Sequence, residues 1–283
     1  MFCLLNRLRN EGGSGCCQAA HSDRLPRTAE WLSRRELALS IAEHQQSQQG
    51  HIQELRSTDD TIIPQFLKLI NAEGAKYDSV VGPRLGRTNS KEQYVFLFNT
   101  ARIEVDRQTA YTVSDPKDLL HREPLVATFR VRGIPANQAF SFKLVNIHTD
   151  PDETVQELNA LGDVFVQVQH DGSGEDDVIV LGDLNVDERH LGKLGTLSGI
   201  KWAIAGQPTN TRQSKTYDNM VFDGRATSEY QGYSGVLNLI REYNLTEPEA
   251  LEVSDHMPIW AKFSAYEGGP LGPVANRPEA AAR

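Results

Sequence analysis

The amino-acid sequence predicts an α/β protein in which two sheets pack together and helices lie outside them. Six short apolar runs of strand length carry this expectation, at residues 94–98, 125–131, 140–147, 178–181, 219–222 and 259–263. Residues 152–169 carry it too, because Val155, Leu158, Leu161, Phe165 and Val168 recur at steps of three or four, the period of one helix face. Many strands with few helices bury their apolar faces as sheet on sheet, with helices covering the outside.

Taken in order, residues 1–28 mix Arg, Gly, Ser and adjacent cysteines without a helical or strand period and read as a flexible leader. Residues 29–266 read as one domain. It opens with helical patterns at 31–42 and 61–72, the second with Phe66, Leu67, Leu69 and Ile70 as its apolar set. Residues 267–283 are rich in Gly, Pro and Ala and read as a tail. No internal repeat is visible.

Composition excludes several classes. The chain has 283 residues, of which 39% are apolar, enough for a sizeable core, and 24% charged, as in ordinary globular proteins. No stretch approaches the roughly 18 uncharged apolar residues of a membrane span. The apolar run in the opening MFCLLN is too short for a secretory signal. Lys+Arg number 29 against Asp+Glu 38, a net charge of −9, which argues against a protein that coats nucleic acid by bulk electrostatics. An enzyme that meets polyanions through bound cations is still allowed. Cys3, Cys16 and Cys17 all lie in the leader, so the expected domain has no disulfide framework and the compartment stays open.

Chemistry-bearing residues gather at strand ends. Residues 178–185 (VIVLGDLN) run from a buried strand into Asp183 and Asn185, and residues 253–259 (VSDHMPI) place Asp255 beside His256 before the last strand. His148 ends another strand, while Glu54, Glu92 and Asp218 stand at similar positions. A lone His or Asp there is usually a structural or turn residue. The joint pattern of carboxylates, two imidazoles and the amides of Asn185 and Asn219 is not accounted for by a solvated surface.

From Ile52 to about Phe263 the chain resembles the endonuclease/exonuclease/phosphatase superfamily, and within it the deoxyribonuclease I branch. The superfamily marks are Ile52-Gln-Glu54, Gly182-Asp-Leu-Asn185 and Ser254-Asp-His256. The branch marks are residues 85–94 (LGRTNSKEQY), then Arg122-Glu-Pro124, then Tyr217-Asp218. The resemblance implies a four-layered α/β/β/α sandwich with its site at one edge of the sheets. It implies Glu54 as a divalent-metal ligand, with Asp183 and Asp255 at or beside the ion, and Asn185 orienting a scissile phosphate. It pairs Glu92 with His148 and Asp218 with His256, and gives Arg56 and Arg122 contacts to substrate phosphates or groove.

These roles suit phosphodiester hydrolysis. Anionic oxygens repel nucleophiles and the alkoxide leaves badly, so Mg²⁺ or Mn²⁺ on carboxylate oxygens would offset the charge. A neutral imidazole oriented by a carboxylate can take a proton from water, and a protonated one can assist the leaving group. The expectation is His256 as base and His148 as acid or phosphate stabiliser.

The stretch before Ile52 departs from the family. The resemblance calls for an apolar first strand ending in an Asn of the metal site, some thirty residues before Glu54. Residues 18–24 contain neither, and Asn6 and Asn10 lie too early. The polar stretch 43–51 is also a poor strand. Two readings stand: a divergence that weakens the metal site, or a segment that does not represent the functional gene product. Ser90 replaces a groove-stacking tyrosine, which weakens minor-groove grip. Thr209 and Thr211 resemble residues near a structural Ca²⁺ site. The leading expectation is a metal-dependent endonuclease acting on the DNA backbone, with no obligate protein partner. The alternatives are a phosphatase or phospholipase-type phosphodiesterase, and a catalytically impaired relative.

Overall fold

A computed structural model of the chain describes residues 2–6, 49–72, 74–88 and 91–269, with only the backbone described for 2–6 and 49–54. Strands β1 (Phe2–Asn6), β2 (Gln49–Leu55), β3 (Tyr77–Val81), β4 (Gln93–Asn99), β11 (Tyr230–Val236) and β12 (Ile259–Phe263) form one sheet, in the order β11-β12-β1-β2-β4-β3. Strands β5 (Ile103–Thr112), β6 (Leu125–Val131), β7 (Ser141–His148), β8 (Val178–Asp183), β9 (Ile200–Trp202) and β10 (Asp218–Asp223) form the other, in the order β5-β6-β7-β8-β10-β9. The helices are α1 (Ile62–Ile70), α2 (Thr154–Gln169), α3 (Gly192–Thr196), α4 (Leu239–Glu242) and α5 (Glu247–Val253).

Period-two side chains divide each central strand between two cores. In β4, Tyr94, Phe96 and Phe98 enter the core between the sheets, while Val95 and Leu97 meet Ile63, Phe66 and Ile70 of α1. In β8, Ile179 and Leu181 face the first sheet, whereas Val178 and Val180 pack with Leu158, Leu161, Phe165 and Val168 of α2. The layers are therefore helix, sheet, sheet, helix. Phe129 holds the middle, its ring centroid 5.4 Å from Phe96 and 5.8 Å from Phe142. No helix among the described residues is long and apolar enough to cross a membrane.

The six expected strands and the helices at 61–72 and 152–169 all form, with ends shifted by one or two residues. Val155 is a correction, being 73% exposed in the first turn of α2. Helical period assigns a residue to a face; it does not say how far the packing partner extends.

The leader is a larger correction. Phe2–Asn6 is a strand in the middle of the first sheet, antiparallel to β12 and parallel to β2, with Asn6 opposite Gln53. An Asn thus ends the first strand, one register step from Glu54, where the sequence reading finds none. Strand β2 likewise forms from Gln49, through His51 and Gln53, despite its polarity. Pairing with neighbours on both sides supplies what the apolar pattern lacks. The expected tail is also shortened. The Glu267 N–H donates to the Gln138 carbonyl at 2.9 Å, and the Gly268 and Gly269 N–H groups donate to Glu229. The helix expected at 31–42, Cys16, Cys17 and Ser90 lie outside the described residues.

Register sets one edge of the sandwich. Strands β7 and β8 run parallel with His148 opposite Asp183, and β10 runs antiparallel to β8 with Asp218 opposite Asp183. Three of the expected site residues, from three strands, therefore share one end of the second sheet.

Candidate active site

Asp183 is the hub of this edge. It ends a fully apolar strand, and Gly182 before it has φ +148°, a conformation that favours glycine. The next turn is tight, with Asn185 at φ +53° and its N–H donating to Asp183 Oδ1 at 2.9 Å. The Asn185 side-chain amide donates to the Thr149 carbonyl at 2.8 Å, tying this turn to the end of β7.

Two imidazoles converge on the same oxygen. Nε2 of His148 lies 3.7 Å from Asp183 Oδ2, and Nε2 of His256 lies 3.6 Å from it. Behind each ring stands a carboxylate, with His148 Nδ1 2.8 Å from Glu92 Oε2 and His256 Nδ1 2.7 Å from Asp218 Oδ2. An ionised carboxylate only accepts, so each Nδ1 carries a proton and each Nε2 is turned to Asp183.

The two pairs are braced differently. Glu92 takes a fork from Arg56, Nε at 3.0 Å and Nη2 at 2.9 Å, with Arg122 Nη1 at 3.5 Å from the same oxygen. Arg122 Nε also donates to the His148 carbonyl, and the His148 N–H donates to the Tyr94 hydroxyl at 3.0 Å. On the other side, the Thr209 hydroxyl accepts N–H bonds from Tyr217 and Asp218, and the Tyr217 ring stacks on His256 at 5.8 Å. The Thr211 hydroxyl donates to the Ser254 carbonyl at 2.7 Å, anchoring the loop that carries Asp255 and His256.

The electrostatics follow. Burial opposes the Glu92 charge, but the His148 bond and charge, with Arg122 and Arg56, outweigh it and hold the carboxyl down to about 2. His148 is raised: burial works against its charge, and the Glu92 bond with Asp183 overcomes it. His256 is pushed up to about 10, with burial again outweighed, here by Asp218, Asp183 and Asp255. Burial and the Asp218 charge push Asp183 up to about 6, with the two imidazoles offsetting part of that.

Every described site residue expected from the sequence lies at this edge, with one change of role. Arg122 is only 5% exposed and serves behind Glu92 rather than in an open groove. A guanidinium goes there because a buried carboxylate needs a counter-charge. Arg56 also binds Glu92, yet its side chain stays 43% exposed. The sequence reading gives Tyr94, Thr149 and Tyr217 no role of their own, and Thr209 only its likeness to a neighbour of a calcium site. Tyr94 and Tyr217 stand inside quoted motifs, but nothing in the chain marks a hydroxyl or carbonyl as a brace.

Carboxylate and imidazole atoms of Asp183, Asp218 and His256 lie within 4.8 Å of one another, close enough that they could hold a metal ion. Register brings the backbone of Glu54 to this edge as well, since Leu55 pairs with Gln93, next to Glu92.

Fold and site together describe a phosphodiester hydrolase of the four-layered sandwich type. No family model matches the chain. Human "Deoxyribonuclease-1-like 1" is 33% identical over 236 residues, covering 79% of this chain and 76% of its own length. Rat "Deoxyribonuclease gamma" is 30% identical over 231 residues, covering 76% and 73% respectively. A solved endonuclease/exonuclease/phosphatase family protein from Bacteroides thetaiotaomicron has the same fold. Its TM-score is 0.54 at 14% identity, with 92% of each chain covered. The chain belongs to the deoxyribonuclease I branch of the endonuclease/exonuclease/phosphatase superfamily.

Proposed function

We propose that this protein is a divalent-metal-dependent endonuclease that hydrolyses DNA phosphodiesters with little sequence preference. The observation that carries this is the convergence of two carboxylate-backed imidazoles on Asp183, at 3.7 and 3.6 Å. One ring can take a proton from water while the other gives one to the departing oxygen, the two transfers that phosphodiester hydrolysis needs. His256 is the base in this reading and His148 the acid or phosphate stabiliser. Surrounded by Asp218, Asp183 and Asp255, His256 holds its proton at neutral pH. Base catalysis therefore requires that some of that negative charge be neutralised.

Glu54, Asp183 and Asp255 would hold Mg²⁺ or Mn²⁺, with Asn6 in register opposite Gln53, the residue before Glu54. When bound, the ion supplies positive charge to the phosphoryl oxygens. Asn185, fixed by Thr149, would orient the phosphate through its amide, and the exposed guanidinium of Arg56 would meet the backbone of the substrate. Contacts to phosphate carry little sequence information, hence the low base preference. The alternative of a catalytically impaired relative rests on a missing first-strand Asn; against it stands the strand Phe2–Asn6, which ends in an Asn opposite Gln53.

Supercoiled-plasmid nicking with Mg²⁺, Mn²⁺ and EDTA tests the reading. The wild-type chain is expected to nick with either ion and not in EDTA, and Asp183→Ala to lose about 10³-fold. Metal-independent nicking, or an unaffected Asp183→Ala, would overturn it. Running a lipid phosphodiester in parallel separates a nuclease from a phospholipase-type enzyme.

A further inference from the structure

Strand β8 has a second acidic end. Asp177 immediately precedes it, about 20 Å from Asp183 at the strand rise of roughly 3.3 Å per residue. There, carboxylate oxygens of Asp177, Glu229 and Glu267 lie within 4.8 Å of one another, and Glu175 adjoins Asp177. Asp177 and Glu229 are each 1% exposed. One oxygen of each, Asp177 Oδ1 and Glu229 Oε2, is buried without a hydrogen-bond partner among the described residues.

Buried carboxylates normally face a cation or several donors. The other oxygen of Glu229 has two donors, the Gly268 and Gly269 N–H groups at 2.6 and 3.2 Å. Among the described residues, Asp177, Glu229 and Glu267 make no ion pair. The nearby Lys143 ammonium is engaged elsewhere, at 2.8–2.9 Å from Asp171, the Val168 carbonyl and the Glu175 carbonyl. Burial and the Glu229 charge push Asp177 up to about 8, the signature of missing positive charge. Glu267 is exposed, so the cluster opens to solvent on its side.

We propose that Asp177, Glu229 and Glu267 form a second divalent-cation site, separate from the catalytic edge, that takes Ca²⁺. Oxygen-only ligands of uneven geometry suit Ca²⁺ better than Mg²⁺, which demands a near-ideal octahedron. The site has a structural logic. Glu229 leads into β11 and Glu267 follows β12, both in the first sheet, whereas Asp177 leads into β8 of the second. A bound ion would clasp the two sheets at the pole opposite catalysis, in a domain whose chain offers no cysteine after Cys17 for a disulfide.

Calorimetric titration of the metal-free chain with Ca²⁺ tests this, alongside melting curves. Wild type and Asp183→Ala are both expected to bind at this site and to gain roughly 5 °C or more near 100 times the dissociation constant. Glu229→Gln should lose one equivalent of Ca²⁺, and Glu267→Gln should bind about tenfold more weakly while nicking plasmid as wild type does. Should Glu229→Gln not fold, the exposed Glu267→Gln decides the matter. Equal stoichiometry and affinity in wild type and Glu267→Gln would overturn the site. So would Asp183→Ala whose melting ignores Ca²⁺, since a proton shared among the carboxyls would then account for the cluster. Failure of the nuclease reading would leave these outcomes untouched.

Discussion

The two ends of strand β8 solve the same problem differently. Each buries an aspartate among further carboxylates, and each aspartate is raised by burial and by an acidic neighbour, Asp183 to about 6 and Asp177 to about 8. At the Asp183 end, two imidazoles face Asp183 and offset part of the charge, and two guanidiniums stand behind Glu92. At the Asp177 end the neighbours are carboxylates, backbone N–H groups and the Thr227 hydroxyl, and the nearby Lys143 ammonium is bound to Asp171 and two carbonyls. A shared burial pattern thus separates into one end where imidazoles face the carboxylate and one where none do, the first proposed for proton transfer and the second for a cation.

The widest gap between the ends should appear in turnover. His148→Ala and His256→Ala are each expected to slow nicking by about 10²- to 10⁴-fold, read from single-turnover plasmid cleavage. A near-normal rate in either variant would remove that residue from the mechanism. Combined in one chain, they should cost little more than the worse single change, because the rings act on one reaction.

A smaller effect is expected at the first strand. Asn6→Ala should raise the Mg²⁺ concentration for half-maximal nicking by about tenfold, with little change at saturating ion. An unchanged Mg²⁺ requirement would mean that β1 places Asn6 beside the site without using it.

Glu92→Gln tests the bracing. It removes the charge that faces Arg122 and His148 while keeping the shape, and leaves a buried guanidinium unbalanced. Thermal or urea unfolding should show a loss on the order of 3 kcal/mol. Full stability would show that the fork from Arg56 and Arg122 is dispensable.

The mildest effect is a pH drift in EDTA. Both His256 and Asp177 hold protons more tightly folded than unfolded, so stability contributed by each declines as pH rises. For Asp177 the window runs from 3.8 to about 8, and for His256 from 6.5 to about 10. Melting curves of Asp177→Asn should lack the lower stretch and keep the upper. A flat profile in wild type would contradict both shifts.

Much of the catalytic edge is legible in the chain because the chemistry sits on contiguous motifs. Gly182-Asp-Leu-Asn185 and Ser254-Asp-His256 follow or precede apolar strands, and a strand end fixes where the next side chain emerges. Other features are illegible for physical reasons. Phe2–Asn6 is too short to show a period, and it becomes a strand only by pairing with Gln49–Gln53 on one side and Ile259–Ala261 on the other. Arg122 reads as a surface cation until Glu92 is placed against it. Thr209 becomes a brace for Asp218 only when its loop folds back.

The sequence alone determined the layered α/β class, the main strands, and the residue types from which a hydrolytic site would be made, since these depend on local period and on motifs a few residues long. Tertiary structure decided which carboxylate backs which imidazole, that Asp183 lies between both rings, and that Asp177, Glu229 and Glu267 meet at the far pole. Glu92 and His148 stand 56 positions apart in the chain, and Asp218 and His256 stand 38 apart. Only sheet register and the closing of one sheet on the other bring such partners within bonding distance.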